Sequence, residues 1–251
     1  MPPQVDVAHL APLLGSVFAA AFLQGFSGFG FAIIAVPLLS LFMPPAETLP
    51  YVMAMQVVNA LVGLRGAVAT CQWRLLGWVA LGAIAGTPVG LWAITTLSPA
   101  LGRMAVSLAV IAALALILRG GRFRGRPTTP VSLAAGLASG VMNGLAGMSG
   151  PPVVALLVAA DLQPAQVRST LLVFVLGAGL AVLIPLGFAG RITGGMVQPL
   201  LLAMPALLAG GWIGSRLFLR ASARQHRAVA LTALAVLAVT TFVRAALELA
   251  A

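Results

Sequence analysis

Two short stretches concentrate polar groups within an otherwise apolar chain. Leu23–Ala32 reads LQGFSGFGFA and Val141–Pro152 reads VMNGLAGMSGPP. Each sets an amide (Gln24, Asn143) and a serine (Ser27, Ser149) among glycines. Gly25 and Gly28 belong to the first stretch. Gly144, Gly147 and Gly150 belong to the second, just before Pro151. Amides and hydroxyls are neutral donors and acceptors, and glycines let a ligand approach the backbone closely. Ser149 and Gly150 ahead of Pro151 have the composition of a helix start. Helix N-termini present free N–H groups and partial positive charge, which suit anions. Helices ending at the same stretches bring carbonyls that pull the other way, so these residues favour an anion without requiring one.

Other chemistry is scarcely represented. His9 and His226 lie near the ends of apolar segments, and Cys71 is the one cysteine. No His/Cys/carboxylate spacing for a metal is present, so neither a metal nor a cofactor is expected. GFSGFG resembles a dinucleotide fingerprint only loosely and lacks a strand–helix context. Enzyme activity is not expected. Glu47, in PPAET, has two readings: a proton-coupling acid near the base of the first stretch, or an interfacial acid at a helix start.

The elements that position these residues are membrane helices. Of 251 residues, 61% are hydrophobic and 7% charged, against about 25% charged in a soluble domain. The short alternating segments of a β-barrel are absent, and the expected fold is an all-α integral membrane protein. The net charge of +10 comes from 14 arginines at the ends of apolar segments. That placement fits membrane topology rather than nucleic-acid binding. The N-terminus, MPPQVDVAHLAP, has no positive n-region, so no cleaved signal peptide is expected.

About eight hydrophobic segments fall near 10–42, 48–68, 75–97, 100–118, 131–160, 169–189, 196–218 and 228–247. They divide four and four around a polar linker at 119–130, giving one transporter domain over 1–251 with repeats at 8–118 and 131–247. At an offset of 119, Gln24 meets Asn143, Gly25 meets Gly144 and Gly28 meets Gly147; after a slip of five, Gly86 and Gly90 meet Gly210 and Gly214. Weak internal symmetry of this kind marks transporters built from repeats.

The first segment of each half is too long for one crossing. Residues 10–42 would make about 50 Å of helix against a hydrocarbon core of about 30 Å. Either it crosses once, or it breaks at the glycines and returns. The hairpin arrangement puts eleven arginines and Asp161 on one side, net +10. It leaves Arg103, Arg191 and Arg244 against Asp6, Glu47 and Glu248 on the other, net zero. Single crossings would make both sides basic, so the positive-inside rule selects the hairpin. The linker is then cytoplasmic, both termini lie outside, and the repeats are inverted. Broken backbone at membrane depth survives only when buried in protein or lining a cavity, which points to a binding site where the tips meet. Gly82, Gly86 and Gly90 are read instead as a helix-packing ladder. Asn59, in MQVVNALVG, is either interhelical glue or part of the path.

The paired elements QGFSGFGFAIIAVPLLSLFMPP and GLASGVMNGLAGMSGPPVVALL resemble the TauE/SafE family of sulfite and organosulfonate exporters, as do QVVNALVG and LGAIAGTPVG. The resemblance spans nearly the whole chain. It implies a secondary transporter of the cell inner membrane that exports small sulfur-containing anions such as sulfite or sulfoacetate, with the lipid bilayer as its surroundings. Uptake of a sulfonate or carboxylate, and a non-transport membrane enzyme or assembly factor, are the alternatives. Carried onto this sequence, the substrate-binding positions are Gln24, Gly25, Ser27, Gly28, Asn143, Gly144, Gly147, Ser149, Gly150 and Pro151, with Asn59, Ser169 and Thr170 on neighbouring helices. The second half has Ala178 where the first has Asn59, and the chain has no lysine.

Overall fold

The computed structural model describes residues 7–27, 30–62, 64–119, 127–160, 162–218 and 223–250. Among them the fold is all-helical: α1 (Val7–Ser27), α2 (Phe31–Leu39), α3 (Pro45–Val62), α4 (Leu64–Thr70), α5 (Trp73–Thr96), α6 (Pro99–Arg119), α7 (Thr129–Ala146), α8 (Gly150–Ala159), α9 (Pro164–Phe188), α10 (Val197–Phe218) and α11 (Ala223–Ala250). Five helices are long and apolar enough to cross a bilayer, or six if the bent pair α3–α4 is one span. The sequence count of eight differs for a physical reason. The segments at 10–42 and 131–160 are each cut at their glycines into two helices, leaving shorter apolar pieces such as Gly150–Ala159. The segment at 48–68 is also not one helix, because α3 and α4 meet at 71°. Trp92, Phe188 and Leu247 are among many large apolar side chains left exposed, as a lipid-facing surface requires.

Element starts fall in register between the halves. Phe31 and Gly150 open α2 and α8, and Pro45 and Pro164 open α3 and α9, each 119 residues apart. Trp73 and Val197 open α5 and α10, and Pro99 and Ala223 open α6 and α11, each 124 apart. The contacts keep the same register. A methyl group built on Gly86 would overlap the Leu137 carbonyl and crowd the Val141 nitrogen; one built on Gly210 would meet the Phe18 carbonyl and the Phe22 nitrogen, 119 positions earlier. Gly90 faces Val141 and Leu145, and Gly214 faces Phe22 and Phe26.

These glycines form two seams. Gly82, Gly86 and Gly90 of α5 interleave with Gly136, Gly140 and Gly144 of α7, backbone on backbone. Residue numbers rise together along the seam, so α5 and α7 run parallel. Gly210 and Gly214 of α10 lie against α1 in the same sense. Small residues allow such close approach, and dispersion plus backbone contact then hold the pair where no hydrophobic force acts between helices.

Two other pairs run antiparallel. Arg103, near the start of α6, pairs with Glu248, near the end of α11, while Ser107 donates to the Ala238 carbonyl at 3.3 Å. The end of α4 meets the start of α9 through Thr70 and Ser169 at 2.7 Å, whereas Gly179, farther along α9, touches Met53 and Val57 of α3.

The core forms around α2. Its sequence, FAIIAVPLL, has no polar residue, and eight of its nine residues are buried; a helix apolar on every face is buried on every face. Its C-terminal carbonyls are held by charge. The buried Arg103 donates to the Ser40 carbonyl at 2.7 Å, Arg244 donates to the Leu41 carbonyl, and Glu248 bridges the two guanidinium groups. Cations at a helix C-terminus complement its dipole.

Candidate functional site

The second break is built by a left-handed glycine. α7 ends at Ala146, and Gly147 takes φ 67° with its N–H on the Asn143 carbonyl at 2.7 Å. That 5→1 bond from a left-handed glycine is the αL cap that stops a helix, and the Met148 N–H reaches back to the Met142 carbonyl at 3.2 Å. α8 then starts at Gly150 with Pro151 in its first turn, as the sequence predicts. Ser149 does not cap it with its side chain; its backbone carbonyl instead accepts the Ser139 hydroxyl, and both serines are buried. A methyl on Gly147 would strike Met53 and crowd Val36, so this tip seats against α2 and α3. A methyl group built on Gly150 would meet no neighbour within 4 Å.

At the first break α1 ends at Ser27 and α2 starts after Gly30, which is extended at φ −60°, ψ 141°. Gly28 and the side chain of Ser27 lie outside the described residues.

The amides are joined at equivalent positions. Asn59 donates through Nδ2 to Gln24 Oε1 at 3.1 Å. Asn143 donates through Nδ2 to the Ala178 carbonyl at 2.8 Å. Gln24 and Asn143 are 119 apart, as are Asn59 and Ala178, so one contact recurs with a backbone carbonyl standing in for the missing amide. Asn143 is fully buried, and its Oδ1 has no hydrogen-bond partner. Gln56 is also buried, and its Nε2 has none. Sequence reasoning missed Gln56. Its counterpart 119 residues on is Val175, so the repeat gives it no signal; its polarity mid-way along an apolar helix was the available one.

Other predicted residues stand apart. Gly25 and Gly144 turn toward the backbones of α10 and α5 and take part in the two seams. Pro151 is buried in the first turn of α8. Thr170 accepts from the Gln72 N–H at 2.9 Å and Ser169 meets Thr70. Thr170 and Ala178 are eight residues apart, about 12 Å along α9. Glu47 is exposed in the first turn of α3, and Gln166, in the matching turn of α9, accepts from the Gln163 N–H. A groove of about 360 Å³ near the ends of α5 and α9 is lined by Trp92, Thr95, Pro185 and Arg191 among others, and by none of the predicted residues.

Long apolar helices, exposed apolar faces and uncharged polar groups buried at helix breaks define a multi-pass α-helical membrane protein. Residues 13–241 match the family described as sulfite exporter TauE/SafE, and the chain belongs to that family of transporters. A protein of Cupriavidus necator named probable sulfite/organosulfonate exporter TauE is 25% identical over 221 residues, covering 82% of this chain and 84% of its own. No solved structure matches the chain.

Proposed function

We propose that the protein is a secondary transporter of the cell inner membrane that exports small sulfur-containing oxyanions, sulfite or an organosulfonate, through a site between the two helix breaks. The observation that carries this reading is the recurrence of one amide contact at equivalent positions beside both breaks, half-buried at the first and buried at the second, with polar atoms left open next to the second. Neutral donors bind an anion weakly enough to release it, and a site without protein charge leaves the anion's own charge to feel the membrane potential. Family membership and the name of the Cupriavidus relative supply the substrate class.

The architecture proposed with it is an inverted repeat in which α1–α2 and α7–α8 are re-entrant hairpins. Support comes from directions. Equivalent elements run antiparallel: α6 against α11, and α3–α4 against α9. α7 starts level with the start of α5, to which it is parallel, and α8 leads within a few residues to the start of α9, beside Gln72. Both ends of α7–α8 therefore lie on one side. Arg65, Arg74 and Arg168 belong to that side, and Arg103, Arg244 and Glu248 to the other. The positive-inside rule makes the first side cytoplasmic and puts both termini outside. Reporter fusions at Arg122 and Ala251 test this; a cytoplasmic C-terminus overturns the hairpins by parity. The function is tested by efflux of labelled sulfite and sulfoacetate from proteoliposomes. Flux no faster than in empty liposomes refutes it.

A further inference from the structure

Among the described residues, two buried side-chain atoms lack hydrogen-bond partners, one a donor and one an acceptor, and both belong to helices at the breaks or packed against them. Gln56 presents a free Nε2 and Asn143 a free Oδ1. The orientation of Asn143 is fixed rather than chosen. Its amide nitrogen must face the Ala178 carbonyl, because two oxygens there would repel, so its oxygen is turned the other way. Gln56 lies between the breaks. Leu49, Met53 and Gln56 fall at i, i+4 and i+7 along one stripe of α3, and Leu49 and Met53 touch the position of Gly147. One turn beyond Gln56, Asn59 holds Gln24 of α1. Buried polar atoms left open cost stability unless something occupies them.

Resting on the transport reading above, we propose that Gln56 and Asn143 form a donor–acceptor pair that selects an oxyanion carrying its own hydroxyl group. Gln56 Nε2 donates to a sulfite or sulfonate oxygen, and Asn143 Oδ1 accepts from an O–H of the same ligand. A fully deprotonated dianion or a plain alkanesulfonate presents only lone pairs to Asn143 and is disfavoured. The hydroxyl has two possible sources: the proton of hydrogensulfite, or a fixed alcohol on a hydroxyalkanesulfonate.

Binding to the purified full-length protein, measured by calorimetry, separates the cases. Isethionate, with a fixed hydroxyl, should bind at least about tenfold more tightly than ethanesulfonate, the size of one lost hydrogen bond. Its affinity should not change between mildly acidic and mildly alkaline pH. Apparent affinity for total sulfite should fall across the same range as hydrogensulfite gives up its proton. Gln56→Leu should weaken isethionate and ethanesulfonate alike by roughly tenfold. Asn143→Leu should weaken isethionate and bring the ratio between the two ligands close to one, an outcome that general loss of packing does not produce. If the wild-type protein binds isethionate and ethanesulfonate equally, the selection is overturned while the transport reading stands. If it binds sulfite, isethionate and ethanesulfonate not at all, both fall together. If Gln56→Leu leaves both affinities unchanged, water rather than ligand satisfies that nitrogen, and its role is overturned.

Discussion

The two helix breaks differ most where they correspond most closely. At the first, Gln24 and Asn59 bond amide to amide. At the second, the same pair of positions joins Asn143 to a backbone carbonyl. An amide facing an amide can exchange which end donates, because each carries both functions. An amide facing a carbonyl cannot. The substitution of alanine at position 178 therefore fixes the polarity of the second site, and one break is adaptable where the other is set. Under the proposed repeat the two breaks carry matching amides, and a difference of one residue gives them different hydrogen-bond partners.

The largest expected effect comes from the seams that hold both breaks in place. Gly90→Leu would drive a side chain into the Val141 backbone, at a cost of about 3 kcal/mol or more. Little monodisperse protein should be recovered by size-exclusion chromatography. Gly177→Ala, on α9 where an added methyl would meet no neighbour within 4 Å, should instead raise the melting temperature slightly, by replacing glycine within a helix. Equal recovery of Gly90→Leu and Gly177→Ala would dismiss the seam as a constraint.

Gly147→Ala comes next. The left-handed backbone and the contact with Met53 both oppose a methyl group, and the strain is about 1–3 kcal/mol. The melt should shift down while folded protein is retained. Substrate flux should drop, since the second break must move to relieve the clash.

The comparison of the amides is sharpened by binding. Asn143→Ala and Gln24→Ala should each weaken apparent affinity for the transported anion, by roughly 1.5–3 kcal/mol where the lost bond is to a charged group. Asn143→Ala should cost more, because Asn143 is fully buried and Gln24 is half-buried. Unchanged affinity in both would remove these side chains from the binding site.

The smallest effect is expected at Glu47. It is exposed, in the first turn of α3, where an acid favours the helix start. Efflux of a monoanion from an inside-negative cell gains about 2.3 kcal/mol per 100 mV without a proton. Glu47→Gln should therefore leave flux unchanged in proteoliposomes with potential and pH gradient clamped separately. Flux that follows the pH gradient alone and disappears in the mutant would make Glu47 the coupling site.

Much of the architecture was legible before any coordinates. Charge density gave the membrane class, and the register of 119 then 124 matches the element starts, Pro45 with Pro164 and Trp73 with Val197. The glycine clusters marked the breaks because helix breaking is a local property. The bend between α3 and α4 was not legible, since residues 48–68 are apolar throughout and hydropathy does not see direction. Partner choice was not legible either: Gly82, Gly86 and Gly90 announce a seam without saying that α7 fills it. The contact of Asn143 escaped because its partner is a backbone group, which every residue carries. Gln56 escaped because its counterpart under the repeat is Val175, so a polar residue present in one half alone carries no symmetry signal.

The charged clasp on α2 has a consequence for the order of assembly. Leu41 is held by Arg244, 203 residues later, and Arg103 by Glu248, 145 residues later. As the chain emerges from the ribosome, α2 and its neighbours enter the bilayer long before their counter-charges exist. Arg103 must wait in water or at the headgroups, because a buried cation without its partner is costly. The most apolar helix of the protein is thus the last to be fastened. Nascent chains arrested before α11 should leave the segment after α2 open to protease, and full-length chains released from the ribosome should protect it.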